Sequence, residues 1–181
     1  MSWVSPPFLL IVLLMFTGAE AQAQRRVTFR AEDGAPLSAA YYEASQRPAP
    51  GIVLLPMWRR SHADWDFAAS QLAEAGFAVL ALDYRAAEDS GVVSIALLSP
   101  GIDYKGLRTE AAMKKFGSRP ALLAGSTRDP YSARTIRHLT TIGRGLREVR
   151  LTDAVAHGTV LVARDAELMP ALVDWFKRTL L

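Results

Sequence analysis

Two strand-like segments lie unusually close together in this sequence. The apolar segment Val79–Asp83 ends one predicted strand and Val92–Leu98 forms the next, with only the seven residues Arg85–Gly91 clearly between them. A link of this length spans at most about 23 Å when fully extended, whereas parallel strands are normally joined by a dozen residues or more. A regular strand, helix and strand unit cannot be built across it.

The rest of the chain alternates strand and helix patterns. Alternating residues on both sides of Asp33-Gly34 predict an antiparallel hairpin. The apolar run Ile52–Leu55 predicts a buried strand, and a helix is predicted over about Asp64–Ala75, ended by Gly76. Downstream, the patterns predict strands near residues 77–83, 92–98, 120–126 and 147–152, and helices near 109–116, 131–142 and 165–180. This order predicts one domain, residues 25–181, folded as a three-layer α/β/α sandwich whose mostly parallel sheet starts with an antiparallel hairpin.

The first 21 residues are expected to be a signal peptide. An apolar run, Phe8–Phe16, is followed by small residues that predict cleavage after Ala21 or Ala23. No Lys or Arg precedes Arg25, so the positive region that usually starts such a segment is reduced to the amino terminus. The run is too short to span a bilayer comfortably. We therefore expect a secreted or periplasmic protein with no stable membrane span after processing.

The composition argues against several classes of site. The chain has no cysteine, which excludes disulfides, thiol catalysis and thiolate metal ligands. Its three histidines lack the spacing of metal ligands, so neither a metal nor a cofactor is predicted, and His62 and His138 are expected to be solvent-exposed residues of a helix or loop. The formal net charge is +3, and the densest basic stretch, Arg134–Arg150, is interrupted by Gly143 and Gly145. Nucleic-acid binding is therefore not expected, and no oligomeric state is predicted.

The most specific motifs follow predicted strands. The stretch GIVLLPMWRRSHADWDFAASQLAEAGFAVLALDYR covers residues 51–85, and ALLAGSTRDPYSA and AHGT cover residues 121–133 and 156–159. Together they resemble the α/β-hydrolase superfamily, in its dienelactone-hydrolase-like and serine esterase or peptidase-like branches. The resemblance spans nearly the whole chain after the leader. It implies a truncated α/β-hydrolase fold in which Asp129 matches the catalytic acid and His157 the base, while the backbone at Met57 and Trp58 matches the oxyanion loop.

The same resemblance implies that the nucleophile is missing. Relatives carry G-x-S-x-G on a turn between a strand and a helix. No serine of this sequence lies in that pattern, and AGSTR around Ser126 lacks the second glycine. The resemblance places the missing segment between Arg85 and Ala86. Ser99 follows a predicted strand and is the candidate substitute nucleophile, although Pro100-Gly101 rather than a helix comes after it.

These observations leave more than one outcome open. Without the missing segment, either the sheet closes over a bare crossover or the strand at residues 92–98 pairs differently. The leading hypothesis is an exported protein that is by descent a serine hydrolase of ester or related acyl bonds, inactive or weakly active without its nucleophile. One alternative is a non-catalytic protein that binds a small ester or acyl ligand between Trp58, Tyr104 and His157. Another is a deletion product without a stable function.

Overall fold

The computed structural model describes residues 24–30, 34, 36–57, 60–83, 92–104 and 106–181. The predicted signal peptide, the link Arg85–Gly91 and Trp58 lie outside the described residues. In chain order the strands are β1 (Arg25–Arg30), β2 (Pro36–Tyr42), β3 (Gly51–Leu54), β4 (Ala78–Leu82), β5 (Ile95–Leu98), β6 (Asp103–Tyr104), β7 (Leu107–Arg108), β8 (Ala121–Ser126) and β9 (Arg147–Thr152). The helices are a 3-10 turn (His62–Trp65), α1 (Asp66–Glu74), α2 (Thr109–Phe116), α3 (Pro130–Leu139), α4 (Val160–Arg164) and α5 (Leu168–Leu180).

The first sheet has the strand order β1-β2-β4-β3. Its strands β1, β2 and β4 pair antiparallel, and β3 runs parallel to β4. The predicted hairpin is confirmed, with Val27 opposite Ala39 and Phe29 opposite Leu37. Gly34 has a φ of 80°, which glycine adopts at little cost. Asp33, the other residue of the predicted turn, lies outside the described residues.

The second sheet consists of β5, β8 and β9, all parallel and in that order. Every residue of β8 is buried, as its continuous apolar run predicts for a strand covered on both faces. Within the described residues no hydrogen bond joins β3 to β5, so these two sheets stand where the sequence predicts a single one, and β6 and β7 form a separate two-stranded antiparallel sheet. β5 pairs in parallel with β8. The two expected outcomes for the crossover stay predictions, because the link lies outside the described residues. The link Arg85–Gly91 is too short to supply another strand and helix.

Helices cover the sheets unequally. One core cluster contains buried side chains of α1, α4 and α5 together with residues of β3, β4 and β8, so it extends under both sheets. A second cluster, formed by α2, α3 and β8, covers the other face of the second sheet. This confirms the three-layer arrangement there. On β3 and just after it, Ile52 and Leu54 are buried, whereas Val53 and Leu55 are 58% and 50% exposed. The far face of β3 therefore remains in contact with solvent.

Three helices differ from the sequence expectation at their ends. The helix predicted near residues 131–142 ends at Leu139. The predicted helix at Asp64–Ala75 begins with the 3-10 turn, and only α1 is α-helical. The predicted helix near residues 165–180 begins only at Leu168, because Asp165 has an extended backbone and its Oδ1 accepts a hydrogen bond from the backbone N–H of Glu167 at 3.0 Å. The short helix α4 before it was not predicted. In the part of the chain that the structure describes, no helix combines the length and the apolar character needed to cross a membrane.

Candidate active site

Asp129 stands between the end of β8 and the start of α3. Pro130 is the first residue of α3, a position where the missing proline N–H costs no helical hydrogen bond. The Asp129 side chain caps the helix, because its Oδ1 accepts a hydrogen bond from the backbone N–H of Ser132 at 3.1 Å. The Asp-Pro pair therefore both starts α3 and fixes the direction of the carboxylate.

The other oxygen of this carboxylate holds His157. The histidine lies on the loop between β9 and α4, and its Nδ1 is 2.6 Å from Asp129 Oδ2. An ionised carboxylate can only accept, so the neutral imidazole carries its proton on Nδ1 and Nε2 becomes the acceptor. The Asp129 side chain is 20% exposed, and the His157 ring is 53% exposed. This pair can therefore present an oriented base to solvent.

Opposing effects act on the pKa of the Asp129 carboxyl. Burial raises the pKa, but the hydrogen bond from the backbone N–H of Ser132 and the contact with His157 lower it by more. The net result is a pKa below the ordinary aspartate value. The group is therefore ionised at neutral pH, as the proposed histidine tautomer requires.

The residue after His157 is tightly enclosed. Gly158 has a φ of 57°, and a Cβ atom added there would clash with Met57 Sδ. Glycine adopts this φ at little cost and leaves room for the Met57 side chain. The Thr159 hydroxyl also approaches Met57 Sδ, at 3.8 Å. The loop that carries His157 thus packs against the chain that leaves β3.

Ser99, the candidate substitute nucleophile, lies at the end of β5 and is 5% exposed. Its Oγ accepts a hydrogen bond from the backbone N–H of Gly158 at 3.0 Å. Among the residues that the structure describes, no hydrogen bond joins Ser99 to His157. The fold therefore brings Ser99 to the histidine loop but engages its hydroxyl with the loop backbone.

A cleft of about 350 Å³ opens beside His157. Met57 lines it, which places the end of β3 at the same cleft as the predicted base. The other lining residues are Arg60, Val155, Thr159, Val160 and Arg164. Trp58 lies outside the described residues, as does the side chain of Tyr104, so the predicted aromatic lining stays a prediction.

A larger cleft, about 490 Å³, lies beside Thr127, Arg150 and Leu168. It contains neither Asp129 nor His157. We assign the candidate site to the smaller cleft because His157 lines it, and catalysis requires an oriented base rather than a large volume. Among the described residues no group of three or more His, Asp and Glu side chains could hold a metal ion.

A second Asp–His pair was not anticipated. His62, expected to be solvent-exposed, has a side chain that is only 14% exposed, and its Nδ1 is 2.8 Å from Asp83 Oδ1. The same oxygen accepts a hydrogen bond from the backbone N–H of His62 at 3.2 Å. Burial raises the pKa of Asp83, but the contacts with His62 lower it by more. The available signal was the polar Asp83 at the end of the apolar run FAVLALD.

His138 differs from both other histidines. Its side chain is 44% exposed, as expected from the sequence, and its Nε2 lies 3.3 Å from Glu110 Oε2. The pair joins the outer surfaces of α2 and α3. It lies outside the set of residues that line the cleft.

Comparison with solved structures relates this architecture to known hydrolases. Neither a family model nor a curated protein matches the sequence. The structure is similar to a predicted CIB-like hydrolase from Thermoplasma acidophilum, with 14% identity and a TM-score of 0.65 over 86% of this chain and 99% of that one. An esterase from Pyrococcus furiosus has 14% identity and a TM-score of 0.67 over 87% of this chain and 91% of its own. A dienelactone hydrolase from Anabaena variabilis has 12% identity and a TM-score of 0.66 over 88% of this chain and 99% of its own.

Proposed function

Since the chain has the fold of the α/β-hydrolase superfamily, we propose that it is by descent a serine hydrolase of ester or related acyl bonds that keeps its acid and base but lacks its nucleophile. The contact of 2.6 Å between His157 Nδ1 and Asp129 Oδ2 carries this proposal. The two residues are separated by 28 positions and meet at the carboxyl end of β8, where this class of sheet places its reactive groups. The structures named above are hydrolases, which supports the reaction class.

A complete site of this type would use these residues in defined roles. A serine would attack the acyl carbon, and His157 would take its proton at Nε2 and pass it to the leaving group. Asp129 would hold the imidazole and stabilise its charged form. Backbone N–H groups near Met57 and Trp58 would bind the oxyanion, as the position of Met57 on the cleft supports.

In this chain no serine among the described residues is placed to attack the acyl carbon. Ser99 is nearly buried, and its hydroxyl is engaged by Gly158. An attacking oxygen must instead reach the substrate and give its proton to the base. We therefore propose that the protein forms no acyl-enzyme.

Hydrolysis of short-chain p-nitrophenyl esters tests the proposal. The purified protein is compared with His157→Ala, and with His138→Ala as a matched control for loss of an exposed histidine. We expect the same background rate from all three. A rate that falls by orders of magnitude in His157→Ala alone would show that an active nucleophile exists, and Ser99→Ala would then be assayed next.

The cleft supports a second candidate function, binding of a small acyl ligand without turnover. Its volume of about 350 Å³ lies within the range of small-molecule sites, and it combines apolar Met57, Val155 and Val160 with polar Thr159 and His157. A ligand that binds only the folded state raises the melting temperature. Short-chain fatty acids and their esters are suitable probes.

A matched pair of variants makes this second test specific. Val160 and Val149 are both 39% exposed, but only Val160 lines the cleft. Val160→Trp should abolish a ligand-dependent rise in melting temperature, and Val149→Trp should preserve it. A rise that survives Val160→Trp would exclude this cleft as the binding site.

Export is also part of the proposal. The apolar run Phe8–Phe16 and the small residues before Gln22 and Gln24 support it. Expression in a bacterial host followed by N-terminal sequencing of the periplasmic protein provides the test. We expect the mature chain to begin at Gln22 or Gln24, and an uncleaved cytoplasmic product would contradict export.

A further inference from the structure

Ser99 has a backbone conformation that is unusual for its residue type. Its φ is 50°, in the left-handed region, where glycine is the ordinary occupant. Among the described residues it is the one non-glycine residue with a positive φ. Such a conformation costs free energy and persists only where the surroundings determine it strongly.

The surroundings of Ser99 hold it on two sides. Its backbone N–H donates a hydrogen bond to the carbonyl of Ala124 at 2.7 Å, which ties it to β8. Its Oγ accepts a hydrogen bond from the backbone N–H of Gly158 at 3.0 Å. Gly158 is buried, so without this acceptor its N–H would have no access to bulk water.

Met57 closes the other side of Gly158. The Met57 thioether occupies the space that a Cβ atom on Gly158 would need. Met57 follows β3 of the first sheet, whereas Ser99 directly follows β5 of the second. Gly158 is thus held between the two sheets at their edge, where no hydrogen bond joins β3 to β5 within the described residues.

We propose that Ser99 is a positioning residue, whose hydroxyl fixes Gly158 and thereby holds the preceding His157 against Asp129. This role differs from that of a substitute nucleophile, because it uses the Ser99 oxygen as an acceptor for the loop. It rests on the Asp129–His157 pair of the proposed function but does not depend on turnover. The absence of ester hydrolysis would therefore not contradict the positioning role of Ser99.

Ser99→Ala and Ser99→Gly separate the hydroxyl from the backbone conformation. Both remove the acceptor, but glycine also relieves the cost of the positive φ. Ser70→Ala is the matched control, since in the described part of the chain the Ser70 hydroxyl bonds the carbonyl of Asp66 on its own helix, at 2.9 Å. All four proteins are labelled with ¹⁵N and studied by NMR at the same pH and temperature.

Two quantities report the proposed role. The first is the exchange rate of the Gly158 amide, which should rise about tenfold in both Ser99 variants, the factor that loss of one ordinary hydrogen bond represents. The second is the ring tautomer of neutral His157, which ¹⁵N shifts distinguish. The Nδ1–H form should dominate in the parent and in Ser70→Ala, and should lose its dominance in both Ser99 variants.

Each result has a defined meaning. Faster Gly158 exchange with a changed His157 tautomer supports positioning by Ser99. Unchanged Gly158 exchange overturns the proposed hydrogen bond. Faster exchange with an unchanged His157 tautomer overturns the positioning role, because the hydroxyl would then stabilise the loop without orienting the ring. If Ser99→Ala does not fold, Ser99→Gly still decides the question, because it lacks the same hydroxyl without the strained φ.

Discussion

The two Asp–His pairs of this protein have similar contacts and opposite exposure. His157 approaches Asp129 at 2.6 Å with a ring that is 53% exposed. His62 approaches Asp83 at 2.8 Å with a side chain that is 14% exposed, and its carboxylate partner is the more accessible member at 38%. A general base needs an accessible ring, so contact distance alone does not distinguish the pair suited to chemistry from the pair suited to structure.

The two aspartates also hold their helices differently. Asp129 caps α3 through the backbone N–H of Ser132, three residues after it in the chain. Asp83 lies 21 residues after His62 and accepts the backbone N–H at the start of the 3-10 turn. The first contact is a local helix cap, whereas the second joins the end of β4 to the start of another element. Substitutions can separate these contributions.

The largest effect is expected at Asp129. Asp129→Ala removes the cap of α3 and the partner of His157, and should lower the free energy of unfolding by about 1–2 kcal/mol. Asp129→Asn should cost less, because asparagine is an equally good capping residue. Urea denaturation of the two variants measures the difference. Equal losses would mean that the charge, and not the cap, stabilises this region.

His62→Ala is expected to have the next largest effect. It leaves the partly buried Asp83 carboxylate without its ring partner and should lower the free energy of unfolding by about 1 kcal/mol. His157→Ala should change the free energy of unfolding by less than about 0.5 kcal/mol, since its ring is largely exposed. The same denaturation experiment compares them. A larger loss for His157→Ala would reverse the assignment of the structural pair.

Low pH should lower the stability that both Asp–His pairs contribute, and the loss at each pair should be smaller than the losses caused by the substitutions above. The folded state lowers the pKa of Asp129 and of Asp83, so each carboxylate stabilises the fold fully above the ordinary aspartate value near 4. That stabilisation is lost as the pH falls from about 5 through the lowered folded pKa values, because the unfolded state binds more protons there. Melting temperatures between pH 7 and pH 3 should fall less steeply in Asp129→Asn. Identical slopes would show that Asp129 contributes nothing to the pH dependence.

The smallest effect is expected at the third histidine. His138 and Glu110 form an exposed contact on the surfaces of α2 and α3, and pairs of this kind contribute little. His138→Ala should leave the melting temperature and the urea midpoint unchanged within error. A clear loss would show that exposure is a poor guide to the role of a histidine in this fold.

Much of the fold could be predicted because the signals were local. The apolar run of β8 and the turn at Gly34 were recognisable from neighbouring residues, and the predicted bounds of α2 agree with the structure. The short helix α4 and the later start of α5 were missed, because the Asp165 side chain accepts a backbone N–H in a contact that the helical period does not reveal. The pair of Asp129 and His157 could be proposed from a resemblance, but their distance could not.

The sequence by itself determined the order of the longer strands and helices, the absence of a G-x-S-x-G motif and the shortness of the link at Arg85–Gly91. Only the tertiary structure decided that the sheet divides beside β3, that His62 is covered and that the Ser99 hydroxyl bonds Gly158. The physical reason is the sequence separation between the residues that interact. Hydrophobic periodicity and turn residues act over a few positions, whereas Ser99 and Gly158 are 59 residues apart and meet only when β5 and the loop after β9 pack together.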